Sequence, residues 1–132
     1  MKEYTTLIEV DVFRTQIFVI AVATTEHLPE WARKHLPRKR GKIFIQYLKE
    51  HPIEPYCQAR TIEMSGGGSI IWLRHRNNLD VASHEATHAA SHCLRARGIE
   101  HTSDTEEVFA YLQEFIFSNI RTRICQYVPN KN

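Results

Sequence analysis

The architecture can be worked out from residues 69–97, SIIWLRHRNNLDVASHEATHAASHCLRAR. The opening SIIWLRH (69–75) is apolar, partly β-branched and of strand length. Asn77 and Asn78 then punctuate the chain. From Asp80 the pattern turns helical, with alanine throughout, which favours helix and close packing. Asp80 is a fair N-cap, Arg95 and Arg97 suit the negative end of the helix dipole, and Gly98 is a natural stop. A strand leading directly into a long small-residue helix predicts a sheet packed on that helix.

The same helix carries His84-Glu85-Ala86-Thr87-His88. Residues four apart project from one helix face, so two imidazoles can converge on one ion. Glu85 lies about 100° around the helix from His84, beside such an ion without ligating it. A carboxylate there can accept a proton from a water, whose pKa zinc lowers to about 7 in favourable sites. A catalytic zinc takes three protein ligands as a rule. His92 extends the series but lies about 12 Å along the axis from His84. It suits a supporting place on the helix face.

Glu106 and Glu107 are the better candidates for the third ligand. Ser103-Asp104-Thr105-Glu106 reads as a capping box, which occupies Glu106 and leaves Glu107 free. Both also suit the positive end of a helix dipole with no metal involved. His88 would lie about 14 Å from the end of a helix running to Arg97. The connector Gly98–Ser103 must therefore run back toward the site, or the helix must end early. His101 is the second choice as ligand, or with Tyr111 a donor to a developing oxyanion.

The strand SIIWLRH, the helix with HEATHAASHCL and the following EEVFAY together resemble a minimal gluzincin-type metallopeptidase. Small proteins of this layout carried by bacteriophages and prophages are similar, and the repressor-cleaving peptidases typified by ImmA bear a more distant resemblance. The resemblance covers residues 69–117. It implies one Zn2+ held by His84, His88 and Glu107, with Glu85 as general base, and a peptide or protein substrate. Ala110 stands where many gluzincins carry Ser or Asn. SprT-like proteases use a later histidine as third ligand, the part His101 would play, but Thr102 replaces the glycine that usually follows.

The rest of the chain fills out one domain over residues 1–132, of α+β class: a mostly antiparallel sheet of three or four strands on the motif helix and a C-terminal helix. Residues 4–13 alternate as a half-buried strand, and 16–24 suit a buried one, with a hairpin turn at Arg14 and Thr15. Residues 28–36 and 42–50 read as short helices, with Pro29 at the first helical position. Residues 56–64 suggest a strand, followed by a flexible turn or lid at Gly66–Gly68. The strand at 69–75 is expected to be the sheet edge that aligns an extended substrate. Val108, Leu112, Phe115 and Ile116 stripe a last helix from about Thr105 to Ile124.

The formal charge of +2 is too mild to imply nucleic acid by itself. The cluster Arg33, Lys34, Arg38, Lys39, Arg40 and Lys42 is dense all the same, and suits either a solvated face or contact with phosphates or an acidic partner. Three cysteines without regular spacing do not form a disulfide framework. With no export signal and no membrane-length apolar run, a cytoplasmic protein is expected (in the host cell, if phage-encoded). Three readings follow: a zinc peptidase, a non-catalytic module stapled by zinc that works by binding a host factor, and a SprT-like nucleic-acid-associated protease that uses the basic cluster. Glu85 separates the first two, because a purely structural site needs no base.

Overall fold

The structure is a computed structural model that describes residues 2–125. Among them run β1 (Tyr4–Val10), β2 (Thr15–Ala21), α1 (Leu28–His35), α2 (Arg38–Glu50), β3 (Ala59–Glu63), β4 (Ser69–Leu73), α3 (Leu79–Ala96) and α4 (Glu106–Arg123). The class is α+β, as the sequence implies. The four strands form one sheet in the order β1-β2-β4-β3. β1–β2 and β4–β3 pair antiparallel, while β2 and β4 pair parallel, with Ile17 opposite Ser69.

Strand alternation divides the core in two. Ile17, Val19, Ala21, Ile71 and Leu73 face α3 and α4. Phe18, Ile20, Val22, Ile70 and Trp72 face α1 and α2. The molecule is therefore three layers, with a helix pair on each side of the sheet. Trp31 and Trp72 are fully buried on the α1–α2 side, and their indole N–H groups donate to Thr5 Oγ1 and the Val22 carbonyl, each at 3.0 Å. Burial of the ring without loss of the N–H partner is what allows tryptophan in a core.

Several local expectations shift. Asn78, not Asp80, caps α3, accepting from the Val81 N–H at 3.2 Å. The capping box at Ser103 does not form: Thr105 stands at the α4 N-cap position, and no side chain caps it. Thr105 instead turns its hydroxyl back onto the Glu100 carbonyl and accepts from the Thr102 N–H, which holds the loop compact. The edge strand is β3, since β4 is enclosed between β2 and β3. α2 begins four residues earlier than the periodicity suggests, directly after Pro37. The first hairpin turns through a short 3-10 segment, Asp11–Phe13, with Arg14 left-handed.

Gly66–Gly68 is a tight packed turn rather than a lid. Gly67 has φ +87°, and a Cβ there would sit 2.7 Å from Ala96 Cβ. The turn thus holds the β3–β4 hairpin against the end of α3. Gly67→Ala combines a strained backbone with overpacking, and should cost about 1–3 kcal/mol. Urea denaturation checks this; an unchanged midpoint would mean that the contact carries no stability.

Candidate metal centre

α3 lies under β3 and β4 because its sheet-facing side is built of small residues. Ala82, Ala86, Ala89 and Ala90 are all fully buried. This face places Glu85 beneath the edge strand and turns His84 and His88 outward into solvent.

The two imidazoles meet edge to face, ring centroids 4.8 Å apart, with Nε2 to Nε2 at 3.1 Å. Two nitrogens about 2.0–2.1 Å from one tetrahedral zinc lie roughly 3.3 Å apart. The pair is therefore close to the spacing a shared ion needs. At this distance one ring's Nε2–H can donate to the other ring's lone pair.

Glu85 is 7 % exposed. Its Oε2 accepts a short hydrogen bond from Thr61 Oγ1 on β3, and its backbone carbonyl lies 3.2 Å from the same hydroxyl. Sequence reasoning missed Thr61. Its signal was available only as alternation: Thr61 shares a strand face with Ala59 and Glu63, all turned toward α3.

One turn further along α3, His92 Nδ1 is 3.1 Å from Ser69 Oγ at the start of β4. Beyond it, Arg95 pairs with Glu63 at 2.9 Å. Burial pushes the His92 imidazole below its ordinary range. Glu63 opposes that shift, Arg95 and His88 add to it, and Glu85 opposes it. His92 thus ties helix to sheet beside the pair rather than joining it. Cys93 is fully buried, and burial raises its thiol pKa, as suits a packed, unreactive cysteine.

α4 returns antiparallel beside α3, and Gln113 donates to the Ser83 carbonyl at 3.2 Å. The question left by the connector resolves along the axis. Counting equal rises from that contact, Glu107 comes level with about Ala89, next to His88. Rotation is what separates them. Glu107 stands about 120° around α4 from Gln113, whereas Glu106 stands about 20° from it, on the side facing α3. Both are exposed in the first turn. With no capping box to occupy Glu106, the capping argument no longer separates Glu107 from Glu106. Among the described residues, no group of three His, Cys, Asp or Glu comes together as a metal site.

His101 stacks on Phe109, centroids 4.2 Å apart, in a cleft of about 390 Å³ with Ser91, Leu94 and Arg95, at the far end of α3. Tyr111 lies two positions from Gln113, hence about 200° around the helix. It lines a groove with Val12, Val108 and Phe115 on the β1 side. The described arrangement thus brings His84 and His88 together, holds Glu85 beneath the edge strand, and leaves His101 and Tyr111 apart.

Two consequences can be measured. Thr61→Val leaves a buried carboxylate short of a donor and should cost about 1–3 kcal/mol, most of it restored in Thr61→Ser. Equal urea midpoints for the two variants would contradict this. The second concerns pH. A histidine whose folded pKa is depressed binds fewer protons folded than unfolded, so stability falls as pH drops below about 6.5 toward the folded value. His92→Gln should show a smaller loss of melting temperature over that window than the parent; an equal loss would assign the effect to other groups.

No family model, curated protein or solved structure matches the chain.

Proposed function

We propose that the chain is a zinc-dependent peptidase in which His84 and His88 hold the ion and Glu85 is the general base. The observation that carries this reading is the pairing of two features on one helix: histidine nitrogens 3.1 Å apart, and a buried carboxylate beneath the sheet edge. When bound, zinc supplies Lewis-acid activation of a water and of the scissile carbonyl. Two histidines make an incomplete ligand set, and Glu106, Glu107 and His101 are the candidates to complete it.

Glu85 accepts the proton of the attacking water and delivers it to the departing amine. Thr61 holds Oε2 by its hydrogen bond, which fixes the carboxylate rotamer and leaves Oε1 to take the proton. Among the described residues β3 has β4 on one side only, so its outer backbone groups are available to an extended peptide. Thr61 lies on that strand, so the base and the peptide-aligning edge are in direct contact. A structural zinc staple would require no carboxylate at position 85. Among the described residues no helix is long and apolar enough to cross a membrane, and Cys57, Cys93 and Cys125 are free, which suits the cytoplasm proposed here.

The test is metal content measured alongside hydrolysis of a quenched peptide library. Parent protein should hold about one zinc per chain and cleave. His84→Ala with His88→Ala should lose the metal. Glu85→Gln should keep it and lose cleavage by at least about 100-fold. Substituting Glu106, Glu107 and His101 singly identifies the third ligand as the one whose loss lowers zinc affinity. Metal retention with full cleavage in Glu85→Gln would remove the base. Metal binding with no cleavage by the parent would favour the binding-module reading.

A further inference from the structure

The charge of this protein is strongly segregated. Residues 28–50 carry seven Lys or Arg against two carboxylates, Glu30 and Glu50, a surplus of five. The whole chain has a surplus of two, so everything outside α1 and α2 is net negative by three. Six of the seven cations fall between Arg33 and Lys42, across the elbow where α1 ends and α2 begins. No acidic residue interrupts them.

The elbow is held firmly. Gly41 packs against the Ala32 carbonyl, a would-be Cβ only 3.3 Å from that oxygen, which brings the two helices into close contact. Leu36 and Phe44 are buried beneath it. Arg33, Lys34, Arg38, Lys39 and Lys42 are therefore left exposed on a rigid corner. Among the described residues none of these five joins an ion pair; the two ion pairs are His35–Glu3 and Arg95–Glu63. Arg40 is half-buried and donates to Gln16 Oε1 at 3.3 Å.

Placement makes the pattern directional. Arg38, Lys39 and Arg40 occupy the first turn of α2, the positive end of its dipole, where cations are disfavoured. No acidic residue lies in that turn and no side chain caps it. Arg40 also lines a polar cleft of about 370 Å³ with Arg14, Arg97, Gln16 and the carboxylates Glu9 and Asp11. The positive surface thus continues from the elbow toward two further guanidinium groups.

We infer that the α1–α2 elbow is a docking surface for the phosphodiester backbone of nucleic acid. A line of phosphates is satisfied by clustered cations alone. A protein partner asks for apolar or aromatic anchors at the centre of the contact, and Ile43 is the one large hydrophobic residue of this face that is well exposed. Contacts to phosphates carry no sequence information, so the binding is non-specific and salt-dependent. The elbow lies on the opposite side of the sheet from His84 and His88. A bound nucleic acid therefore leaves the candidate metal centre open, and this surface stands or falls independently of the peptidase reading.

The experiment titrates the full chain into a labelled duplex, a labelled single strand and, separately, polyglutamate, at about 50 mM and about 200 mM salt. Micromolar binding to at least one nucleic acid is expected at the lower salt, weakening at least about tenfold at the higher. Arg38→Glu, Lys39→Glu and Lys42→Glu together should weaken it at least about tenfold and reduce the salt slope by roughly 2–3. The neutral triple Arg38→Gln, Lys39→Gln and Lys42→Gln should show the same direction if the reversal variant folds poorly by circular dichroism. Arg121→Glu, on the opposite layer, should leave affinity within about twofold. The inference is overturned if the folded parent binds neither nucleic acid, if both triple variants bind as the parent does, or if polyglutamate is bound in preference.

Discussion

Everything in this protein rests on how closely α3 lies against the sheet. Ala82, Ala86, Ala89 and Ala90 present almost no side-chain bulk, so the helix backbone approaches β3 and β4. At that distance Glu85 can be reached by Thr61 across the gap, and Ser69 can reach His92. Gly67 closes the same seam at its far end. A larger residue at any of these alanines would lift the helix and separate the carboxylate from its donor. The cost would exceed the packing term, because a buried charge would lose its hydrogen bond as well.

The alanine pattern and the histidine spacing could both be read from sequence, because helix periodicity is a local property. The strand at β4 and the helix at α3 follow from composition and period alone. What could not be read is what depends on pairing. The place of β4 inside the sheet needs the parallel contact between Ile17 and Ser69, which no local pattern encodes. The partnership of Thr61 with Glu85 has the same origin. Competing local chemistry explains the misplaced caps. Asn78 and Asp80 are both good N-caps two residues apart, and the Ser103 motif lost to Thr105, whose hydroxyl engages the preceding loop instead.

The candidate site is consequently half legible. His84, Glu85 and His88 come from one helix and need no tertiary information. In the proposed reading a third ligand would come from the connector or from α4, and on α4 rotation about the helix axis decides. The position of Gln113 against Ser83 sets that rotation. It turns Tyr111 toward β1 and Glu106 toward α3, neither of which a linear reading could assign.

The topology also constrains how the chain reaches this state. β1–β2 and β3–β4 are each hairpins of near neighbours in sequence, able to form early and separately. Only the parallel β2–β4 seam joins them, between residues about 50 positions apart, with α1 and α2 in the intervening loop. The helix bearing Glu85 rests on the second hairpin, yet its hydrophobic cluster also includes Ile8, Ile17 and Val19 from the first. The half that carries the histidine pair is thus contiguous along the chain but has no complete core of its own. Of the three strand pairings the central seam closes the longest loop and so carries the largest closure entropy, and the buried carboxylate has its full environment only when that seam is made.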